Sequence, residues 1–288
     1  MSTALCLAGG GSRGPIALGS LKRVKELNIV PDAVYAASVG CLIGIMYLQD
    51  EMEALEKLWL TIKNEDVYSK RVVSLWQLLT DKASIYDSKP LEKLIRKVFN
   101  KQKIDSLKIP FYVGTSNLTH LKPEIRDIRG MDYEDQIRWV LASASPPILF
   151  PPIAFKLLGE TVSLVDSGIC TNYFIQSAIN DGHDAVICIS PTNFQSKPPK
   201  NLIDIIQATI STATFNYLDR EIKAVEKINK IIDIANIELT DDIRKIKMIL
   251  IRPPKSWDQP IIDFNYKVDR QSLIDYGYLV AVEALKDF

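Results

Sequence analysis

Ser38 lies in Ala36-Ala37-Ser38-Val39-Gly40, where an apolar strand gives way to an apolar helix, and Gly9-Gly10-Gly11-Ser12-Arg13-Gly14 lies upstream behind Leu5-Cys6-Leu7-Ala8. A serine hydroxyl is a weak nucleophile at neutral pH. It does chemistry only where the backbone presents it and a base takes its proton. The strand-to-helix turn supplies the presentation: small residues at 36 and 40 permit a tight elbow of the G-x-S-x-G kind, with Ala36 in the place of the first glycine. The helix that follows points its positive amino end at the serine. The glycine run strips side chains from a neighbouring loop, so the N–H groups around Gly10 and Gly11 can face an oxyanion. Arg13 adds a positive charge that steadies either the loop or the anion. A nucleophile beside an anion-holding loop reads as a serine acyl hydrolase.

A base is still required. His120 follows a predicted strand exit at Thr115-Ser116-Asn117-Leu118-Thr119, and His183 sits in the turn Asp181-Gly182-His183-Asp184. Both fit structural or solvated histidines better than a base. Asp166 is the stronger candidate. It ends the short strand Ser163-Leu164-Val165 and precedes Ser167-Gly168, which puts it at a strand's carboxyl end, where open α/β sheets bind ligands. Shelter from water there raises a carboxyl pKa and makes a better base.

The glycine run, the Ser38 elbow and Asp166-Ser167-Gly168 resemble the signature blocks of the patatin-like phospholipases. So does Ala142-Ser143-Ala144-Ser145-Pro146-Pro147-Ile148-Leu149-Phe150-Pro151-Pro152 ahead of the aspartate. These blocks cover about the first two-thirds of the chain, and Asp275-Tyr276-Gly277-Tyr278 is a fainter echo of the family's closing helix. The resemblance implies a Ser38–Asp166 dyad without histidine, an oxyanion hole from Gly10 and Gly11 with Arg13, and hydrolysis of lipid acyl esters with no cofactor or metal. The chain departs from the family pattern at Ala36, at Ser167 and at Asn172-Tyr173-Phe174, where Asn-x-Pro is usual.

Two other readings compete. Gly9, Gly11 and Gly14 satisfy G-x-G-x-x-G, the dinucleotide fingerprint, but that fold needs an acid at the far end of the second strand. Asp32 precedes the strand instead, and Ser38 stands at its far end. The other is a non-catalytic relative that binds lipid or protein on the same fold, which the departures at Ala36 and Ser167 favour.

Lysine plus arginine equals aspartate plus glutamate at 35 each, which argues against nucleic acid as a partner. A lipid or small ester is the expected partner; peripheral contact with a lipid surface and self-association stay open. With 47% apolar residues a core needs no staple, and Cys6, Cys41, Cys170 and Cys188 show no CxxC spacing and read as small buried hydrophobes. The amino terminus has no basic region, and the apolar run Cys41–Leu48 is too short to span a bilayer, so a soluble, cytoplasmic protein is expected.

Strands are expected at Ala4–Ala8, Ala33–Ala37, Ile109–Asn117, Thr161–Val165, Ala185–Ser190 and Lys247–Ile251, with Glu124–Ile128 folding back on the third. Helices are expected at Pro15–Leu27, Val39–Leu48, Glu51–Thr61, Lys89–Phe99, Tyr133–Ala144, Asn201–Asn236 and Arg270–Lys286, with a less regular stretch containing Trp76 and Tyr86. The alternation predicts an α/β fold in three layers, a mostly parallel central sheet with helices on both faces. Gln195–Lys200 and Arg252–Pro260 read as surface connections too short to divide the chain, so one domain over 1–288 is expected. Leu42, Ile43 and Met46, with Pro146–Phe155, are assigned to an apolar substrate pocket, which core packing explains equally well. The long helix reads as a cover for the sheet rather than a lid.

Overall fold

A computed structural model describes residues 1–70, 84–193, 198–200, 202–235, 240, 243–254, 260–286 and 288. Trp76, the two ends of the expected 201–236 helix, and residues 195–197 and 255–259 of the expected surface connections lie outside the described residues.

The strands are β1 (Thr3–Leu7), β2 (Ala33–Ala36), β3 (Ser69–Lys70), β4 (Tyr86–Asp87), β5 (Phe111–Asn117), β6 (Lys122–Asp127), β7 (Ile153–Leu157), β8 (Glu160–Asp166), β9 (Ala185–Ile189) and β10 (Lys247–Ile251). β3 and β4 form a separate pair, and the rest make one sheet in the order β10-β9-β1-β2-β5-β8-β7, with β6 also on β5. Pairing is parallel from β10 through β5 and antiparallel for β6, β8 and β7. β1, β2 and β9 are buried at every position, as strands sandwiched between helical layers must be.

Alternation along these strands feeds two cores. Leu5, Leu7, Val34, Ala36, Phe111 and Val113 face one, and Ala4, Cys6, Ala33, Tyr35, Val186 and Cys188 face the other. The first core is covered by helices Gly14–Glu26, Val39–Leu48, Met52–Thr61, Lys89–Val98, Tyr133–Ser143 and Arg270–Ala284. The second is covered by helices Ile175–Asn180 and Leu202–Ile234, through Ile175, Ala178, Leu218 and Val225. Three layers result, as the alternation of elements predicts. Helix ends follow local chemistry: Pro15 and Pro90 occupy the first turns of their helices, where a missing N–H costs nothing. In Lys89–Val98, Leu91, Leu94 and Ile95 are buried at helical spacing while lysines and arginine face outward.

β7 was not expected as a strand. Phe155 and Leu157 face inward, and a two-residue turn at Leu158-Gly159, both with positive φ, returns the chain into β8.

The sheet's reversal positions the site. β6 pairs along one edge of β5, from Tyr112 to Asn117. On the opposite edge, β2 pairs with Phe111–Val113 and β8 with Thr115–Asn117, running the other way. The two strands therefore meet head to head along one neighbour. Ala36 lies opposite Val113 and Asp166 opposite Thr115, so the turn after β2 and the end of β8 converge at Gly114. Among the described residues no helix is long and apolar enough to cross a membrane.

Candidate active site

Ser38 takes φ 51° and ψ −126°, a backbone geometry that a non-glycine residue adopts at a cost of about 1–3 kcal/mol. The surroundings impose it. Ala37 N–H donates to the Leu7 carbonyl at 3.0 Å and Gly40 N–H to the Ala37 carbonyl at 2.7 Å. Ser38 N–H donates to the Ser143 hydroxyl at 3.1 Å. The Val39–Leu48 helix starts immediately beyond, so its positive end lies at the serine. Ala36, a strand residue outside the positive-φ set, meets no demand that glycine alone could satisfy.

Asp166 is buried, and its Oδ1 accepts the Gly168 N–H at 2.8 Å. Burial pushes its carboxyl up to about 6, against the opposing pull of the Gly168 N–H and of the neighbouring Ser38 hydroxyl. The backbone N–H of Asp166 donates to the Ser145 carbonyl at 2.9 Å.

The glycine loop passes directly over the serine: a Cβ on Gly9 would lie 2.7 Å from that of Ser38. Gly9 N–H donates to Asn172 Oδ1 at 2.9 Å, Ala8 N–H to the Ile189 carbonyl at 3.0 Å, and Ser12 N–H to the Ile261 carbonyl at 2.7 Å. Gly11 has φ +55°, and a Cβ there would meet the Ile261 carbonyl at 2.1 Å. With both flanks pinned, the N–H groups of Gly10 and Gly11 have no hydrogen-bond partner among the described residues. Arg13 N–H donates to the Gly10 carbonyl at 3.2 Å, and its guanidinium, desolvated to a pKa of about 10, stays charged at neutral pH.

Two chambers meet at Ser38. The first is walled by Gly9–Gly11, Arg13, Asp166, Asn172 and, from the long helix, Ile210 and Phe215. The second is almost wholly apolar, with Leu42, Trp59, Leu91, Leu94, Phe150 and Phe264 among its walls. Gly11, Ser38, Pro146, Ile261 and Ile262 line both.

The structure thus brings Ser38, Asp166, Gly10, Gly11 and Arg13 to one place. Leu42 lines the apolar chamber, while Ile43 and Met46 are buried in the core and line neither chamber. Of the 146–155 segment, Pro146, Pro147, Leu149 and Phe150 reach the chambers. The long helix both covers the sheet and walls the first chamber, where the Thr214 hydroxyl donates to the Gly168 carbonyl.

The histidines lie elsewhere. His183 Nδ1 is 2.7 Å from the Ser2 hydroxyl, at the amino ends of the parallel strands. His120 Nε2 is 3.0 Å from Glu160 on a hairpin turn. Asp32 accepts the Thr3 N–H at 2.7 Å at the same far end as His183, too remote for a ribose at the glycine loop. Ser143, Ser145 and Asn172 are site residues that reasoning from sequence gave no role. The Ser143-Ala144-Ser145-Pro146 run was the available signal, since two serines at a helix end suggest side chains or carbonyls turned to a task beyond helix formation.

The family model for patatin-like phospholipase matches residues 5–179. Lysophospholipase NTE1 of Cryptococcus neoformans var. neoformans serotype D is 29% identical over 206 residues, which is 70% of this chain and 12% of that protein. Lysophospholipase nte1 of Aspergillus oryzae is 26% identical over 207 residues, with the same coverage. The chain spans about 12% of the length of the curated relatives it matches. VipD from Legionella pneumophila, a solved structure, overlaps loosely, at a TM-score of 0.49 and 12% identity over 99% of this chain and 67% of that one.

Proposed function

Because the chain belongs to the patatin-like phospholipase family, we propose that it is a lipid acyl hydrolase working through a Ser38–Asp166 dyad, in one domain over residues 1–288. The observation that carries this reading is the meeting, at the end of β2, of a presented serine, a buried carboxylate lining the same chamber, and two backbone N–H groups left without partners among the described residues.

The steps follow from the groups present. Asp166, ionised, takes the Ser38 proton as Oγ attacks the ester carbonyl carbon, and Gly10 and Gly11 N–H hold the oxyanion of the tetrahedral intermediate. The intermediate collapses to an acyl-serine, and the alcohol leaves with the proton from Asp166. Water then enters through the first chamber, gives a proton to Asp166 and attacks the acyl carbonyl. Collapse releases the fatty acid, and the Asp166 proton returns to Ser38. The acyl chain occupies the apolar chamber beyond Leu42, since burying each CH₂ there is worth about 0.8 kcal/mol. The name lysophospholipase on the fungal relatives makes a single-chain phospholipid the first substrate to try.

Purified protein incubated with a mixed lipid extract is expected to release free fatty acid with matching deacylated lipid, both identified by mass spectrometry. Folded protein that releases nothing from phospholipids, lysophospholipids or simple esters would favour a binding role on the same fold.

A further inference from the structure

We propose that the two hairpin tips carrying Leu121 and Leu158 form an anchor that inserts into a lipid surface beside the active site; this rests on the reading of the chain as a lipid hydrolase. Leu158 is 103% exposed and Leu121 84%, and Leu118 in the same turn as Leu121 is 39% exposed. Both fully exposed leucines also have left-handed backbone, φ +50° and +54°. Turn positions of this kind ordinarily take glycine or asparagine. Two leucines here are unfavourable for the backbone and for hydration, and neither gains a buried contact within the chain. A local rule broken twice without internal compensation points to a use outside the fold.

The two tips form one unit. Leu118 N–H donates to the Ser163 carbonyl at 2.9 Å, Ser163 N–H to the Thr119 hydroxyl at 3.0 Å, and His120 meets Glu160 at 3.0 Å. The register also places them. Asp166 lies opposite Thr115 on β5, and Leu118 is three residues farther along the same strand direction. At about 3.3 Å per residue the first tip begins about 10 Å and the second about 20 Å beyond the carboxylate, on the sheet edge where the chambers lie.

Shape and charge select a lipid over a protein. Two convex turns cannot present the roughly 800 Å² per partner that a stable protein interface buries. Single apolar side chains projecting from turns suit a bilayer, which closes around them. Glu124 pairs with Lys122 and Glu160 meets His120, while exposed Lys156 flanks Leu158, so the rim is close to neutral. Insertion, rather than charge, is the driving term.

The test uses the full chain with Leu121→Asn and Leu158→Asn together, because asparagine tolerates this backbone and the fold should be kept. Binding to vesicles of phosphatidylcholine, alone or mixed with phosphatidylserine, is measured by co-sedimentation in the Ser38→Ala background so that the lipid is not consumed. The expected result is wild-type-tip protein bound to both vesicle types with little salt dependence, and affinity weakened about tenfold per leucine replaced. The thermal midpoint is expected to hold or rise, and turnover of a soluble short-chain ester, measured with Ser38 intact, to stay unchanged. Equal binding with and without the leucines overturns the proposal, as does failure of the parent protein to bind vesicles, or binding to anionic vesicles alone that salt abolishes. Leucine-dependent binding without hydrolysis of any ester would leave the anchor standing and reject the hydrolase reading.

Discussion

Ser143 and Ser145 each hold one half of the proposed dyad. The Ser143 hydroxyl accepts the Ser38 backbone N–H at 3.1 Å, and the Ser145 carbonyl accepts the Asp166 backbone N–H at 2.9 Å. The end of the Tyr133–Ser143 helix therefore sets the spacing between nucleophile and base across the gap where β2 and β8 meet. A strained elbow needs such a tether, since nothing intrinsic to Ser38 favours φ 51°.

Ser143→Ala removes the acceptor for Ser38 N–H and leaves every chamber wall in place. Turnover of a soluble ester should fall about 10- to 100-fold with KM nearly unchanged, because misplacement of the reacting atoms lowers kcat rather than binding. The lost hydrogen bond should cost about 1–2 kcal/mol of stability. Steady-state kinetics and chemical denaturation read the two effects separately.

Asp166 must be ionised to accept a proton, and burial holds its carboxyl at about 6. The kcat/KM profile should rise through pH of about 6 to a plateau. The same burial works against the fold. A carboxyl whose folded pKa is raised above its unfolded value destabilises the native state above the folded pKa and ceases to do so below the unfolded one. Asp166→Asn should therefore abolish turnover yet raise stability at pH 8, by about 3 kcal/mol at 1.36 kcal/mol per unit, with the gain gone near pH 4. Denaturation curves at the two pH values check the sign.

Glu221 behaves in the same sense without a catalytic role. It is buried under helix Ile175–Asn180, accepts the Gln176 N–H at 3.1 Å, and is pushed up to about 7 by desolvation. Glu221→Gln keeps an acceptor for that N–H and removes the buried charge. Thermal stability should rise at pH 8 and be unchanged near pH 4, while ester turnover keeps its wild-type pH profile.

Much of this arrangement could be read from the chain. The buried run Ala185–Ile189, the apolar strand Lys247–Ile251, the Val39–Leu48 helix and the Ser38 elbow have local signatures, and they stand where periodicity put them. β7 escaped because Ile153-Ala154-Phe155-Lys156-Leu157 follows four prolines and closes on Leu-Gly rather than the Asn-Gly that marks such turns. Without β7 there is no hairpin, and the head-to-head meeting of β2 and β8 cannot be foreseen. Ser143, Asn172 and Thr214 likewise act on partners 105, 163 and 46 residues away, contacts that no local pattern encodes. Ile43 and Met46 alternate with Leu42 on an all-apolar helix, where periodicity cannot separate a chamber wall from core.

Leu42 lines the second chamber together with Ser38 and tests which way the acyl chain lies. Leu42→Trp should lower kcat/KM for long-chain esters by about tenfold or more and leave short-chain esters near wild type, since only the long chain needs the filled space. A uniform loss across chain lengths would place the acyl group in the first chamber instead.

Covalent labelling reports the dyad itself. A fluorophosphonate should add one adduct to the native protein, located by peptide mass spectrometry on Ser38, with no adduct in Ser38→Ala and a rate reduced at least a hundredfold in Asp166→Asn. An adduct on a different residue, or full-rate labelling of Ser38 without the aspartate, would contradict the account.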